Sequence, residues 1–295
     1  MRSAILIFLF AAALGSCAEL SSKQAILYTT NQALTRADCL NAIIAIESLY
    51  NSSSSDNEVR KLRASAHGCK AGINFFPLVG DLAVGTFSGT GLWRTITRLF
   101  PSTGTDGKFE ASFFATDALL SWLNPGTVVY SPYRIADDPY NIGSTQTAHR
   151  TSSSNLYLAL VSMASIGTLH NKYGAPNASY APTQSLPWTT LAAMDETGCG
   201  YASALLNLMD SLNAVGSQYT QLSGVSSAVT AASAGFDAAC AAGCTAHCPT
   251  LSCSGCPASL RHRKACDRTT ATTEKVEACA AAGLVGLMNS ALGWQ

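Results

Sequence analysis

Charged side chains are scarce in this chain. Asp, Glu, Lys and Arg make up 12% of its 295 residues, about half of the roughly 25% in an ordinary soluble domain. The 18 basic and 18 acidic residues cancel, so no net field draws in nucleic acid or an anionic membrane surface. Long apolar runs are missing too. The run from Ala4 to Leu14 holds eleven residues, whereas a spanning helix needs about 20. The stretch from Ser211 to Phe236 is broken by Asn213, Gln218, Gln221 and many Ser and Thr, and "AAAGLVGLMNSALGW" is too short to cross a bilayer.

Catalytic signatures are equally absent. There is no Gly-x-Ser-x-Gly elbow, His-Glu-x-x-His pair or Walker lysine motif. The glycine-rich "GDLAVGTFSGTG" from Gly80 to Gly91 has no lysine after its last glycine to hold a phosphate, and is read as a turn. No spacing nominates a base among His67, His149, His170, His247 and His262, although a Ser, His and Asp gathered from distant positions stays open. The chain is therefore expected not to be an enzyme, with no cofactor and no metal.

What is present begins at the N-terminus. Arg2, the apolar run to Leu14 and the small pair Gly15 and Ser16 follow the charged, greasy and small-residue order of an export signal. The sequence "LGSC" at Leu14 to Cys17 resembles the bacterial lipobox. The resemblance implies cleavage before Cys17, a diacylglyceryl group on its thiol and often an acyl chain on its new amine. Cleavage after Ala18 as a plain secreted protein is the competing reading. Ala18 in place of Asp as second mature residue implies, by the family's sorting pattern, an outer membrane facing the periplasm or the exterior. "AELSSKQ" is expected as the start of a polar tether.

The cysteine count fits export. Eleven cysteines are an odd set, and setting Cys17 aside leaves ten: Cys39, Cys69, Cys199, Cys240, Cys244, Cys248, Cys253, Cys256, Cys266 and Cys279. Ten close five disulfides, as expected in an oxidising compartment. Connectivity from 199 to 279 is open in the sequence. Cys253-x2-Cys256, with His247 and Cys248 nearby, has a zinc-knuckle spacing, but no second such pair or His-x3-His accompanies it, so disulfides are expected there. "RHRK" from Arg261 to Lys264 is the only basic cluster and is expected as a solvated loop.

Helical periodicity dominates the rest. Cys39, Ile43, Ile46 and Tyr50 recur at helical spacing, and Leu62, Ala66, Cys69 and Ile73 do so after "NSSSS", where Ser55 and Glu58 form a capping box. With the turn near Ser53, an antiparallel hairpin places Cys39 and Cys69 about 3 Å apart in height, which predicts a bridge between them. Residues 33–72 resemble the second helix of one tetratricopeptide repeat followed by the first helix of the next, through Ala42, Ile46 and Leu49 in the one and Leu62, Ala64 and Gly68 in the other. The resemblance implies a groove for a peptide or protein partner. Further helices are expected at Leu92 to Phe100, Glu110 to Leu123, a segment ending near Gly174, Leu191 to Val215 and Leu222 to Ala242.

The one strand-like run is "TVVY" at Thr127 to Tyr130. It opens a Tyr- and Pro-rich loop over 126–150 whose Tyr130, Tyr133 and Tyr140 either line a binding surface or staple the loop down.

The expected fold is all-α: repeat-like helical hairpins with a disulfide-stapled C-terminal portion. The expected organisation is a signal peptide (1–16), a lipidated tether (17–30) and a helical domain (31–295) with a Cys-rich portion (240–279). The expected role is a lipid-anchored envelope module, held by membrane lipid through Cys17, that binds a protein partner and no nucleic acid. The alternative is a secreted or anchored hydrolase or small-ligand binder with its site under the 126–150 loop.

Overall fold

A computed structural model describes residues 23–51, 57–73, 90–123, 148–218, 223–268 and 270–291. Nine α-helices run through them: α1 (Lys23–Thr35), α2 (Cys39–Glu47), α3 (Asn57–Lys70), α4 (Thr90–Leu99), α5 (Lys108–Leu123), α6 (Ala148–Tyr173), α7 (Glu196–Gln218), α8 (Ser223–His247) and α9 (Val276–Ala291). Two 3-10 turns, Ala258–Arg261 and Arg263–Cys266, lie between α8 and α9. No strand occurs among the described residues, so the chain is all-helical there. Cys17, Ser55, "TVVY", the three loop tyrosines and the start of the glycine-rich run lie outside those residues. Thr90 and Gly91, the end of that run, open α4.

Part of the span expected as a tether (17–30) is helical, because α1 begins at Lys23. Leu27 and Thr30 are buried, and Leu34, two turns after Leu27, packs with Ala42 and Ile46 of α2 and Leu62 and Ala66 of α3. That burial rewards a helix where the local sequence reads as polar lead. A turn through Ala37, at φ 55°, leads to Asp38, whose carboxylate accepts from the Asn41 backbone N–H at 3.3 Å and caps α2. Cys39 is bonded to Cys69, their Cα atoms 5.5 Å apart, which ties the first turn of α2 to the last turn of α3.

The largest core surrounds α7. Residues 199–209, "CGYASALLNLM", are all buried, because α6, α8, α9 and both 3-10 turns pack around this helix. A helix covered on every side needs no polar stripe. Each fully buried Leu there, such as Leu205 and Leu208, stabilises the fold by about 1.5–3 kcal/mol relative to exposure. A smaller cluster of Ala64, Ala115, Ala118, Leu119, Leu158 and Val161 joins α3, α5 and α6.

The C-terminal cysteines form a ladder. Cys240 and Cys244 lie one turn apart on α8, and Cys248 follows four residues later, just past its end at His247. The chain then folds back, so that Cys256 bonds Cys240 and Cys253 bonds Cys244 in a nested pair. Cys248 bonds Cys279 of α9, and Cys199 of α7 bonds Cys266 of the second 3-10 turn. Both cysteines of the Cys253-x2-Cys256 pair are thus consumed in disulfides.

Candidate functional site

One stripe of α7 holds the segment that carries the basic cluster. Cys199, Ser203, Asn207 and Asp210 recur at intervals of four, four and three residues, which places them on one helical face. Each grips the 3-10 region. Cys199 is bonded to Cys266. The Ser203 hydroxyl donates to the Arg261 carbonyl. Asn207 Nδ2 donates to the same carbonyl at 2.8 Å. Asp210 pairs with the Arg261 guanidinium.

The solvated-loop expectation for "RHRK" is corrected here. The side chains of Arg261, His262 and Arg263 keep only 19%, 12% and 15% of their exposure. Three carboxylates explain it: Asp210 and Glu196 from α7 and Asp117 from α5. Arg263 Nη2 donates to Asp117 Oδ2 at 3.1 Å, and its Nη1 donates to Glu196. The guanidinium also lies 5.5 Å from the centroids of Phe113 and Phe114, within cation–π range. A buried charge is tolerated when it is paired and hydrogen-bonded, and here pairing comes from residues 67 to 146 positions away.

Asp117, His262 and Ser203 meet the residue types of a hydrolytic triad, but their wiring is different. His262 Nδ1 accepts from the Lys264 backbone N–H at 3.2 Å, so its proton sits on Nε2, which faces Asp117 Oδ1 at 3.4 Å. The lone pair that a general base would use is therefore taken by the backbone, and Ser203 spends its hydroxyl on Arg261. Burial holds the His262 pKa below its ordinary value, against the opposing pull of Asp117. A small cavity beside Phe113, Asp117, Ser165, Gly200, Ser203 and Arg263 has a volume of about 10 Å³, room for about one water.

The other histidines are placed apart from this cluster. His170 is fully enclosed. The Thr97 hydroxyl donates to the Trp93 carbonyl at 2.8 Å, so His170 Nδ1–H donates to Thr97 Oγ1 at 3.0 Å, and Tyr201 O–H donates to His170 Nε2 at 2.8 Å. Burial lowers its pKa to about 3 and raises that of Tyr201, which fixes a neutral pair. His67 Nε2 lies 2.7 Å from Glu47 Oε1, and the same oxygen accepts from Arg63 Nε at 2.8 Å. Burial alone would raise the Glu47 pKa, but His67 and Arg63 together bring it below the ordinary value. Arg63 stacks 3.9 Å from the Tyr50 ring centroid and 5.6 Å from that of Phe114.

Phe114 therefore stands between Arg63 and Arg263 and links two ionic clusters that sequence reading leaves unconnected. The signal that could have found them is the pairing of unexplained carboxylates on helices, Asp117 and Glu196, with a compact basic run. No group of three or more His, Cys, Asp or Glu among the described residues is arranged to hold a metal ion, and no helix there is long and apolar enough to cross a membrane. The place of the alternative site, the 126–150 loop, is outside the described residues except for its last three, which open α6. Comparison of the chain with protein-family models, curated proteins and solved structures found no match.

Proposed function

We propose that this chain is a bacterial lipoprotein, anchored to the outer membrane through a diacylglyceryl Cys17, whose helical body works by contact with a protein partner and not by catalysis. The observation that carries the reading is the fate of the cysteines. Ten of the eleven are consumed in five disulfides, and the one left over, Cys17, follows an apolar run and two small residues. Disulfides of this density belong to an oxidising compartment. The non-catalytic half is supported by two of the five histidines, His170 and His262, whose ring nitrogens are all engaged in hydrogen bonds or ion pairs, and by the small size of the cavity lined by Asp117 and Ser203, which accommodates about one water.

Replacing Cys17 with Ser and fractionating cells beside the parent tests the anchor. The parent is expected in the membrane fraction and the detergent phase, and the variant in the soluble fraction. Equal partition of the two defeats the lipid anchor and leaves the plain secreted reading. Affinity capture from detergent-solubilised membranes tests the other half: a stoichiometric co-purifying protein is expected, and a chain that always elutes alone counts against an interaction role.

A further inference from the structure

The exposed apolar side chains are not spread evenly. Among the described residues, the three most exposed large ones are Tyr28 (68%), Leu40 (63%) and Ile44 (62%), all on α1 and α2, while Phe114, Leu156 and Tyr180 are near 40%. Leu40 and Ile44 are one helical turn apart, on the face of α2 opposite the buried Ala42 and Ile46. Tyr28 is on the outer face of α1, among the exposed Gln24, Asn31, Gln32 and Thr35. Charge does not explain a solvated face here, since residues 23–47 carry only Lys23, Arg36, Asp38 and Glu47.

Chain length says what covers this face. Five residues, Ala18 to Ser22, separate Cys17 from the start of α1, so even a fully extended link reaches only about 20 Å. A lipid on Cys17 keeps the start of α1 within that distance of the bilayer, and since α1 is 13 residues long, about 20 Å, α2 stays within about 40 Å of it. We propose that Leu40, Ile44 and Tyr28 form a docking face that lies in the interfacial layer of the membrane holding Cys17, an inference that rests on the lipid-anchor reading. Leu40 and Ile44 enter below the headgroups, and Tyr28 takes the headgroup level that amphipathic rings prefer. A neutral face suits zwitterionic lipid, because no basic excess is present to seek an anionic one. Cys39, next to Leu40, is bonded to Cys69 of α3. Docking of α2 therefore also sets the orientation of the helices behind α3, and with it the surface shown to a partner.

The test uses the full protein recovered from membranes and reconstituted in vesicles of phosphatidylethanolamine and phosphatidylcholine, with and without dibrominated acyl chains. Leu40→Trp and Ile44→Trp are two independent reporters at exposed positions, Tyr180→Trp is the comparison, and the parent's own emission is subtracted. The bromines are expected to remove about half or more of the emission at positions 40 and 44, and little at 180. Quenching at 40 and 44 no greater than at 180 overturns the docking face. The mass of the N-terminal peptide separates the two ways of failing: an acylated Cys17 without quenching sinks the docking face alone, whereas an unmodified Cys17 sinks the anchor reading and the docking face with it.

Discussion

Gly243 of α8 and Gly283 of α9 stand backbone to backbone: a Cβ built on either would lie 2.7 Å from the Cα of the other. No real side-chain carbon sits that close to a backbone atom. The Cys248–Cys279 bond clamps the same pair of helices one turn away, so they cannot easily separate to make room.

Gly243→Ala and Gly283→Ala are therefore expected to destabilise the protein by about 1–3 kcal/mol, the usual cost of overpacking. Gly235 and Gly286, on the same two helices, have nothing within 4 Å of the position that an added methyl would take. Their replacement by Ala is expected to stabilise by about 0.5–1 kcal/mol through helix propensity. Urea denaturation of the four variants checks the contrast. Equal effects at all four positions would falsify the close crossing.

His170 gives the fold a pH dependence of definite sign. Its pKa is lowered by burial from 6.5 to about 3, so between those values the unfolded chain binds a proton that the folded chain refuses. Falling pH then favours unfolding. The stability that His170 contributes is full above about pH 6.5 and is lost at up to about 1.4 kcal/mol per pH unit below it. His262, also lowered by burial, adds a loss of the same sign. His170→Gln is expected to be less stable at pH 7, since Tyr201 and Thr97 lose their partner, yet to show a shallower decline between pH 6 and 4. Chemical denaturation at a series of pH values measures both slopes, and parallel slopes would count against a titrating His170.

Asp117 holds two groups, Arg263 and His262. Asp117→Leu leaves both facing an apolar side chain and is expected to cost about 3–5 kcal/mol, as when one member of a buried ion pair is removed. Adding Arg263→Met is expected to recover part of that loss and no more, because His262 Nε2–H has still lost the Asp117 acceptor. A double-mutant cycle by thermal or urea unfolding reads the coupling. Additive losses would show that the pair does not stabilise the 3-10 segment.

Much of the helix layout is legible because helical periodicity is local. The pattern predicts Leu92 to Phe100 and the helix is Thr90–Leu99; it predicts Leu222 to Ala242 and the helix is Ser223–His247. Boundaries differ where burial extends a helix past its apolar pattern, as in α8, whose last turn carries Cys244 and is followed at once by Cys248, both in disulfides. α7 starts five residues later than Leu191, since the Asp195 carboxylate accepts from the Gly198 N–H at 2.8 Å and opens the helix there. The site is far less legible. "RHRK" reads as solvated when only its neighbours in sequence are weighed, and nothing local announces that Asp117, Glu196 and Asp210 will surround it.

The sequence by itself determined the class of this protein: scarce charge, helical periodicity and ten cysteines beyond Cys17 dictate a helical, cross-linked body, because each of these acts through composition or through neighbours a turn apart. It also pointed to a bridge between Cys39 and Cys69, since two neighbouring helices joined as an antiparallel hairpin bring the start of one beside the end of the next. Only the tertiary structure decided which of the remaining cysteines pair, where the basic cluster is buried, and that His170 is neutral between Thr97 and Tyr201. Those outcomes depend on helices far apart in sequence meeting face to face. The physical reason is that pairing and desolvation are properties of a place in the fold, and a residue acquires its place only when distant parts of the chain have packed around it.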